Sequence, residues 1–579
     1  MPDLPISEIR ETRHREADDL LSAGLGLEGL RAKPPTFADA SAPTAQELRL
    51  RAIYTNWHGI ADLGPLGGYG RVYGSVPNVP GREYQAFAKL AGAHSPHRVL
   101  AQIPDSFDAN ARCLLVAPSS GSRGIYGAIS LAGAWGLPRG CAVVYTDKGT
   151  GTGYYDCATH TGVQLDGTRA RRGEATLEFE PRDVGVTRGV AIKHAHSGDH
   201  PEASWGRHVL QAAAFGLAML DRAYPQHAPF TPSNTRVIAV GLSNGGGAVL
   251  QAAGLDDAQV LAGVVALEPN IHLEGHGRAL YDYATEAALY LPCALADARF
   301  AAVPFARAQG ALAATWSARC TRLRDAGLVG GADTATRARS ALDHLHANGW
   351  DEPTIETAAS TTAFDLWRAI AATYASSYLR ASSDAMPCGF HFGALDANAA
   401  PFAPDAATRA AWWADASGIP PGAGILLLGG TDGSGDPTAV GVDGLRALWS
   451  GDGSDAIALR TAVTATAATI PRADLPIIVA HGERDGLLPI AFTSVPYVAA
   501  LEAAGRTPVY WRVPHAQHFD AFLALPGFGD QRVPLMPYGY AALDALWAHL
   551  MQGAALPSSR RFETMPRGAG GLERSALGF

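Results

Sequence analysis

The chain is poor in the residues that mark redox, metal-binding or nucleic-acid-binding proteins. Six cysteines, Cys113, Cys141, Cys157, Cys293, Cys320 and Cys388, stand among 579 residues. None falls in a C-x-x-C spacing, which excludes a zinc knuckle or dithiol motif, and the even number permits disulfides without requiring them. Lysine is scarcer still, with Lys33, Lys89, Lys148 and Lys193 as the whole complement. Lys and Arg together number 46 against 55 Asp and Glu, a formal charge of −9. That leaves no basic surplus to neutralise a phosphate backbone, so nucleic acid is not an expected partner. The longest apolar run, Ala212–Leu220, is about half of the ~20 residues needed to cross a bilayer, and no membrane span is expected. Residues 1–30 carry charges throughout and lack the apolar core of a secretory signal, which leaves a cytoplasmic protein as one expectation.

What is present is the material of a packed globular protein: 47% hydrophobic and 17% charged residues. The length exceeds one minimal core and implies two domains or one large core with an insertion. Short β-branched runs ending in Gly, Ser or Asp recur at Arg98–Ile103, Arg112–Ala117, Cys141–Thr146, Thr235–Val240, Val260–Leu267, Leu475–Ala480 and Val509–Val513. Alternating with helical patterns such as Glu202–Tyr224, they predict an α/β fold with a mostly parallel, doubly wound sheet. Glu83–Ala88 adds an antiparallel edge strand at the start. About 200 residues separate Leu267 from Leu475, far more than one crossover needs, so an insertion is predicted there. Its segments Ala294–Ala326, Thr334–Asn348 and Ala363–Ala381 have helical spacing and read as a helical cap, with Pro420–Pro437 as the return linker. The expected division is an N-terminal extension at 1–80, a catalytic core at 81–270 and 471–552, the cap or lid at 271–470, and a loosely held tail at 553–579.

Gly241-Leu242-Ser243-Asn244-Gly245 is a G-x-S-x-G placed between a strand and a helix. A turn tight enough to lift a serine clear of the sheet strains the serine backbone and leaves no room for a Cβ two residues to either side. A serine hydroxyl needs an imidazole to take its proton and a carboxylate to hold the imidazole. In this chain order both follow the serine. Asp485, at the tip of the loop after the Leu475–Ala480 strand, is the expected acid, with Glu268 as its competitor one strand earlier. Beyond the last strand, Pro514-His515-Ala516-Gln517-His518 offers two imidazoles; His518 is favoured as the base and His515 as structural. The oxyanion is expected to be held by the N–H of Asn244 and by one from the loop after Cys113–Ala117, at Ser119 or Ser120.

The strings PSSGSRGIYG (118–127), VYTDKGTGTGYYD (144–156), GLSNGGG (241–247) and QHFDAF (517–522) resemble those of the D-(−)-3-hydroxybutyrate oligomer hydrolases, bacterial esterases that act after a poly(3-hydroxybutyrate) depolymerase. The resemblance runs from about Ala17 to the region of Pro566. It implies an α/β-hydrolase fold, hydrolysis of short 3-hydroxybutyrate esters to monomers with Ser243 as nucleophile, and an extracellular or periplasmic location. A small-molecule ester is then the expected partner, with no cofactor and no metal. His194, His196 and His200 with Asp199 contain an H-x-H spacing but lack the surrounding pattern of a zinc site. Asp432–Asp436 lacks the later glutamate of a calcium loop. Arg123 and Lys148 fall in loops on the active-site side and are candidates for holding the terminal carboxylate of an oligomer. Two other readings fit the same motifs: a capped tannase or feruloyl-type esterase of aromatic esters, and an inactive hydrolase fold used as a binding module.

Overall fold

The computed structural model describes residues 5–182, 185, 188–307, 313–394, 402–415, 424–429, 436–525 and 527–579. Its centre is a mixed sheet built from β1 (Arg10–His14), β2 (Gly81–Ala88), β3 (His97–Pro104), β4 (Cys113–Pro118), β5 (Ala142–Thr146), β6 (Arg236–Leu242), β7 (Gly263–Leu267), β8 (Ile477–Gly482), β9 (Val509–Val513) and β10 (Arg560–Arg561). The spatial order is β1-β2-β3-β5-β4-β6-β7-β8-β9-β10. Pairings are antiparallel from β1 to β5 and parallel from β5 to β10. This is an α/β-hydrolase-like sheet.

Side chains on the parallel strands alternate between two apolar layers, as the two-residue repeat of a strand requires. Ile238 and Val240 of β6 and Ile478 and Ala480 of β8 enter one layer. Val237, Ala239, Ile477 and Val479 enter the other. With both faces covered, these strands read as nearly continuous apolar runs. On the second face lies α1 (Pro201–Ala223), which begins with Pro201 and is capped by His200 accepting from the Ala203 N–H. Of the face expected from the spacing of Val209, Leu210, Ala213, Leu217 and Leu220, it buries all but Leu210, which is partly buried. Glu83–Ala88 is not an edge: β1 pairs outside it.

Residues 268–476 leave the sheet between β7 and β8. Their helices include α2 (Leu280–Ala294), α3 (Ala313–Asp325), α4 (Thr334–Ala347), α5 (Glu352–Ala363) and α6 (Leu366–Tyr378). Of the helical span expected over Ala294–Ala326, only Ala313–Asp325 is α-helix among the described residues, with a short 3-10 turn at Ala298–Phe300 before it. The helix α2 ends at Ala294, where that span begins, and is not among the expected segments although Leu280, Tyr283, Ala284, Ala287 and Leu291 give it a buried face. The break between α5 and α6 sits at Asp365, whose φ of +54° is left-handed. Most of Pro420–Pro437, and Asp432 to Gly435 within it, lie outside the described residues; Asp436 pairs with Arg319 at 2.8 Å. A small four-stranded sheet made from 154–156, 161–163, 169–171 and 190–192 was invisible in the sequence because each strand is only three residues long.

The tail is not loosely held. Arg560–Arg561 extends the sheet beside β9, and Phe562, Leu572 and Leu577 are buried. Its Gly, Ser and Arg content hides three large apolar anchors. Two disulfides join Cys113 to Cys141 and Cys293 to Cys320, while Cys157 and Cys388 are free.

Candidate active site

Parallel strands bring their carboxyl ends to one edge, which is where α/β sheets place their ligand sites. Leu242 of β6 is level with Leu267 of β7, and Leu267 with Ala480 of β8. Ser243, Glu268 and the 483–488 loop therefore emerge side by side. Ser243 adopts φ +59°, ψ −127°, strain held by its N–H to the Leu267 carbonyl at 2.9 Å. The flanking glycines are sterically required: a Cβ on Gly241 would meet the Gly245 carbonyl oxygen at 2.3 Å, and one on Gly245 the Pro118 oxygen at 2.6 Å.

Ser243 Oγ lies 2.9 Å from His518 Nε2, and His518 Nδ1 lies 2.8 Å from Asp485 Oδ2. Asp485 Oδ1 accepts the N–H groups of Leu487 and Leu488 at 2.8 and 2.6 Å. Oδ2 also takes a 3.1 Å bond from His481. Burial alone would raise this carboxyl, but His518 and His481 outweigh it and hold it well below the ordinary aspartate range. His481, absent from the sequence-level candidates, is oriented in turn by Ser494 at 2.7 Å, and Ser494 by Tyr510 at 2.8 Å. Its signal was its place four residues before Asp485 at the end of a strand.

Glu268 Oε2 stands 3.8 Å from His518 Nδ1 and has no hydrogen-bond partner. Burial, then Asp485 and Asp520, push its pKa well above the usual value. His515 is turned away and bonds Thr564 at 2.7 Å.

On the oxyanion side, Asn244 opens the helix Asn244–Leu255, so its N–H has no carbonyl of the preceding turn to bond. The Ser119 N–H donates to the Thr146 carbonyl at 2.9 Å, which commits that amide to the sheet. Ser120, with Gly121, borders the cavity that contains Ser243 and His518.

The two cations differ. Lys148 is buried against Glu202, donates to Asn244 Oδ1 at 2.6 Å and reaches the Tyr374 hydroxyl at 3.3 Å. Burial would raise the Glu202 pKa, but Lys148 and His194 hold it low. The Lys148 charge is thus met inside the protein. Arg123 lines the catalytic cavity with its Nε and Nη1 unpartnered. The H-x-H histidines bond protein groups: His194 to Glu202, His196 to the Ile192 N–H and His200 to the Ala462 carbonyl. Asp199 accepts from the His94 and Ser95 N–H groups. Among the described residues, the group of carboxylate and imidazole atoms within 4.8 Å of one another is Glu268, Asp485 and His518 themselves.

A serine hydroxyl hydrogen-bonded to an imidazole that a buried carboxylate holds in turn is the arrangement acyl transfer requires. The family model described as 3HB-oligomer hydrolase (3HBOH) matches residues 4–578. The D-(−)-3-hydroxybutyrate oligomer hydrolase of Cupriavidus metallidurans is 37% identical over 616 residues, covering 95% of this chain and 84% of that protein. Its namesake from Burkholderia ambifaria is 38% identical, covering 98% and 90%. Among solved structures, feruloyl esterase B from Aspergillus oryzae matches at 12% identity over 83% of this chain and 82% of that one, with a TM-score of 0.32, too low to carry an argument. By the family match and these identities, the chain belongs to the 3HB-oligomer hydrolase family.

Proposed function

We propose that Ser243 is the nucleophile of an ester hydrolase acting on short D-3-hydroxybutyrate oligomers, the substrate named for the curated relatives. His518 takes the Ser243 proton as Oγ bonds to the ester carbonyl carbon, and Asp485 stabilises the imidazolium. The N–H groups of Asn244 and Ser120 receive the oxyanion. His518 returns the proton to the departing alkoxide, and water repeats the steps on the acyl-enzyme. The observation that carries this reading is the unbroken Ser243–His518–Asp485 chain at 2.9 and 2.8 Å.

Leu280, Ile370 and Tyr374 of the 268–476 segment line a cavity at Ser243, which supports reading that segment as a cap over an acyl pocket. Two disulfides support an oxidising, extracellular or periplasmic location. Of the two cations, the unpartnered donors of Arg123 favour it over Lys148 for a substrate carboxylate.

The test is organophosphate labelling with hydrolysis of hydroxybutyrate trimer. Both are expected in the wild type and both are lost in Ser243→Ala. A labelled Ser243 with no trimer turnover but activity on feruloyl esters would move the protein to the aromatic-ester reading. Absence of labelling and turnover would favour a binding module.

A further inference from the structure

Among the described residues lining the catalytic cavity, Arg123 carries a charge that no carboxylate answers. Its side chain is buried, at 8% exposure. Nη2 donates to the Gly59 carbonyl at 3.2 Å, while Nε and Nη1 have no partner. Among the described residues no carboxylate forms an ion pair with it. Burial lowers its pKa to about 10, which leaves it charged near neutral pH. Burying a guanidinium without a counter-ion is strongly unfavourable, yet the surroundings are shaped to keep it there. Gly59 belongs to the last turn of the helix Ala45–Ile60, where the helix dipole is negative. A Cβ at Gly59 would fall 1.8 Å from Arg123 Cζ.

Two cavities meet at Ser243. The one holding Arg123 also holds His518, Phe519 and Met536. The other is lined mainly by Leu280, Ile370, Tyr374, Leu487 and Leu488 and does not include His518. The leaving alkoxide must collect its proton from His518 Nε2, so the alcohol half of the ester belongs on the His518 side, with Arg123, and the acyl half in the apolar cavity. In a hydroxybutyrate chain the alcohol half of every ester points toward the carboxyl end. An anion within one unit of the scissile oxygen exists only at the last ester.

Resting on the proposed Ser243 chemistry, we propose that Arg123 binds the free terminal carboxylate, so that the enzyme cuts the last ester at the carboxyl end and releases one 3-hydroxybutyrate per cycle. The bond between Oγ and the acyl carbon forms as the last ester C–O bond breaks. The Ser243 proton travels through His518 to the leaving oxygen. The chain, shorter by one unit, stays on Ser243 until water frees it.

A trimer carrying ¹³C only in its carboxyl-terminal unit tests the polarity under single-turnover quench with the wild-type protein. The expected first product is labelled monomer, with intact protein gaining the mass of an unlabelled dimer acyl group. Unlabelled monomer first, or labelled dimer as the first release, would overturn the proposal. Methyl esterification of the terminal carboxylate should lower wild-type kcat/KM roughly 10- to 100-fold, and Arg123→Met should bring the acid-to-ester ratio near one. A wild type that labels at Ser243 yet treats acid and methyl ester alike defeats the role of Arg123 alone. Loss of the acyl adduct altogether defeats the nucleophile assignment instead. If Arg123→Met does not fold, the labelled-trimer and methyl-ester measurements on the wild type still decide.

Discussion

Glu268 Oε2 lies 3.8 Å from His518 Nδ1, behind Asp485 Oδ2 at 2.8 Å. Two carboxyl groups thus face one imidazole nitrogen, and their surroundings separate them. Against burial, His518 and His481 hold the Asp485 carboxyl well below the ordinary aspartate range, while two backbone N–H groups bond its other oxygen. Glu268 is buried and unpartnered on Oε2, and burial, then Asp485 and Asp520, push its pKa well above the ordinary glutamate value.

From this asymmetry, Asp485→Asn should reduce kcat by about 10³- to 10⁴-fold, the scale for losing a triad acid. Glu268→Gln should cost less than about tenfold. Steady-state kinetics on hydroxybutyrate dimer checks the order, and a reversed ranking would make Glu268 the orienting acid.

Gly245→Ala places a Cβ 2.6 Å from the Pro118 oxygen and 2.9 Å from the Ser119 oxygen. Backbone cannot yield as a flexible side chain would, so a destabilisation of about 1–3 kcal/mol is expected. The loop bearing Ser120 would shift with it. Urea melts and kcat should fall together; a fully stable and fully active variant would contradict the tight elbow.

Lys148→Met leaves Glu202 buried without its cation, a loss on the order of 3–5 kcal/mol. The preference for a free-acid dimer over its methyl ester should not change, because the lysine charge is already met by Glu202. Denaturant midpoints and the ratio of kcat/KM values separate this structural role from direct carboxylate binding.

Asp520 is raised to about 7, chiefly by burial and further by Asp62, against the pull of the Leu535 and Met536 N–H groups. Its folded value lies above the roughly 3.9 of an unfolded aspartate. The folded chain therefore holds the proton more tightly. The stabilisation from this group is complete below about pH 4 and is lost as the pH rises through about 7. Asp520→Asn should flatten the fall in urea midpoint between pH 5 and 8.5; an equal fall in variant and wild type would remove Asp520 as its source.

The positions of β4 to β8 were legible because these strands are buried on both faces and so carry nearly continuous apolar runs. That Ser243, Asp485 and His518 come together was legible because each follows a strand of the one sheet. His481 escaped notice because a strand-end histidine beside an aspartate has no distinctive spacing. The tail was misjudged because composition averages away three anchors, Phe562, Leu572 and Leu577.

Residue order alone implies an α/β sheet with a long helical insertion, a strained serine between two glycines, and an aspartate and a histidine that follow it in turn. These are local matters of periodicity, turn sterics and chain order. Folding in three dimensions settles which carboxylate reaches His518, that the Ser119 amide is spent on Thr146, and that Lys148 is neutralised while Arg123 is not. Those outcomes depend on distances and burial between residues far apart in the chain, because a charge acquires its chemical meaning from the partners that folding brings to it.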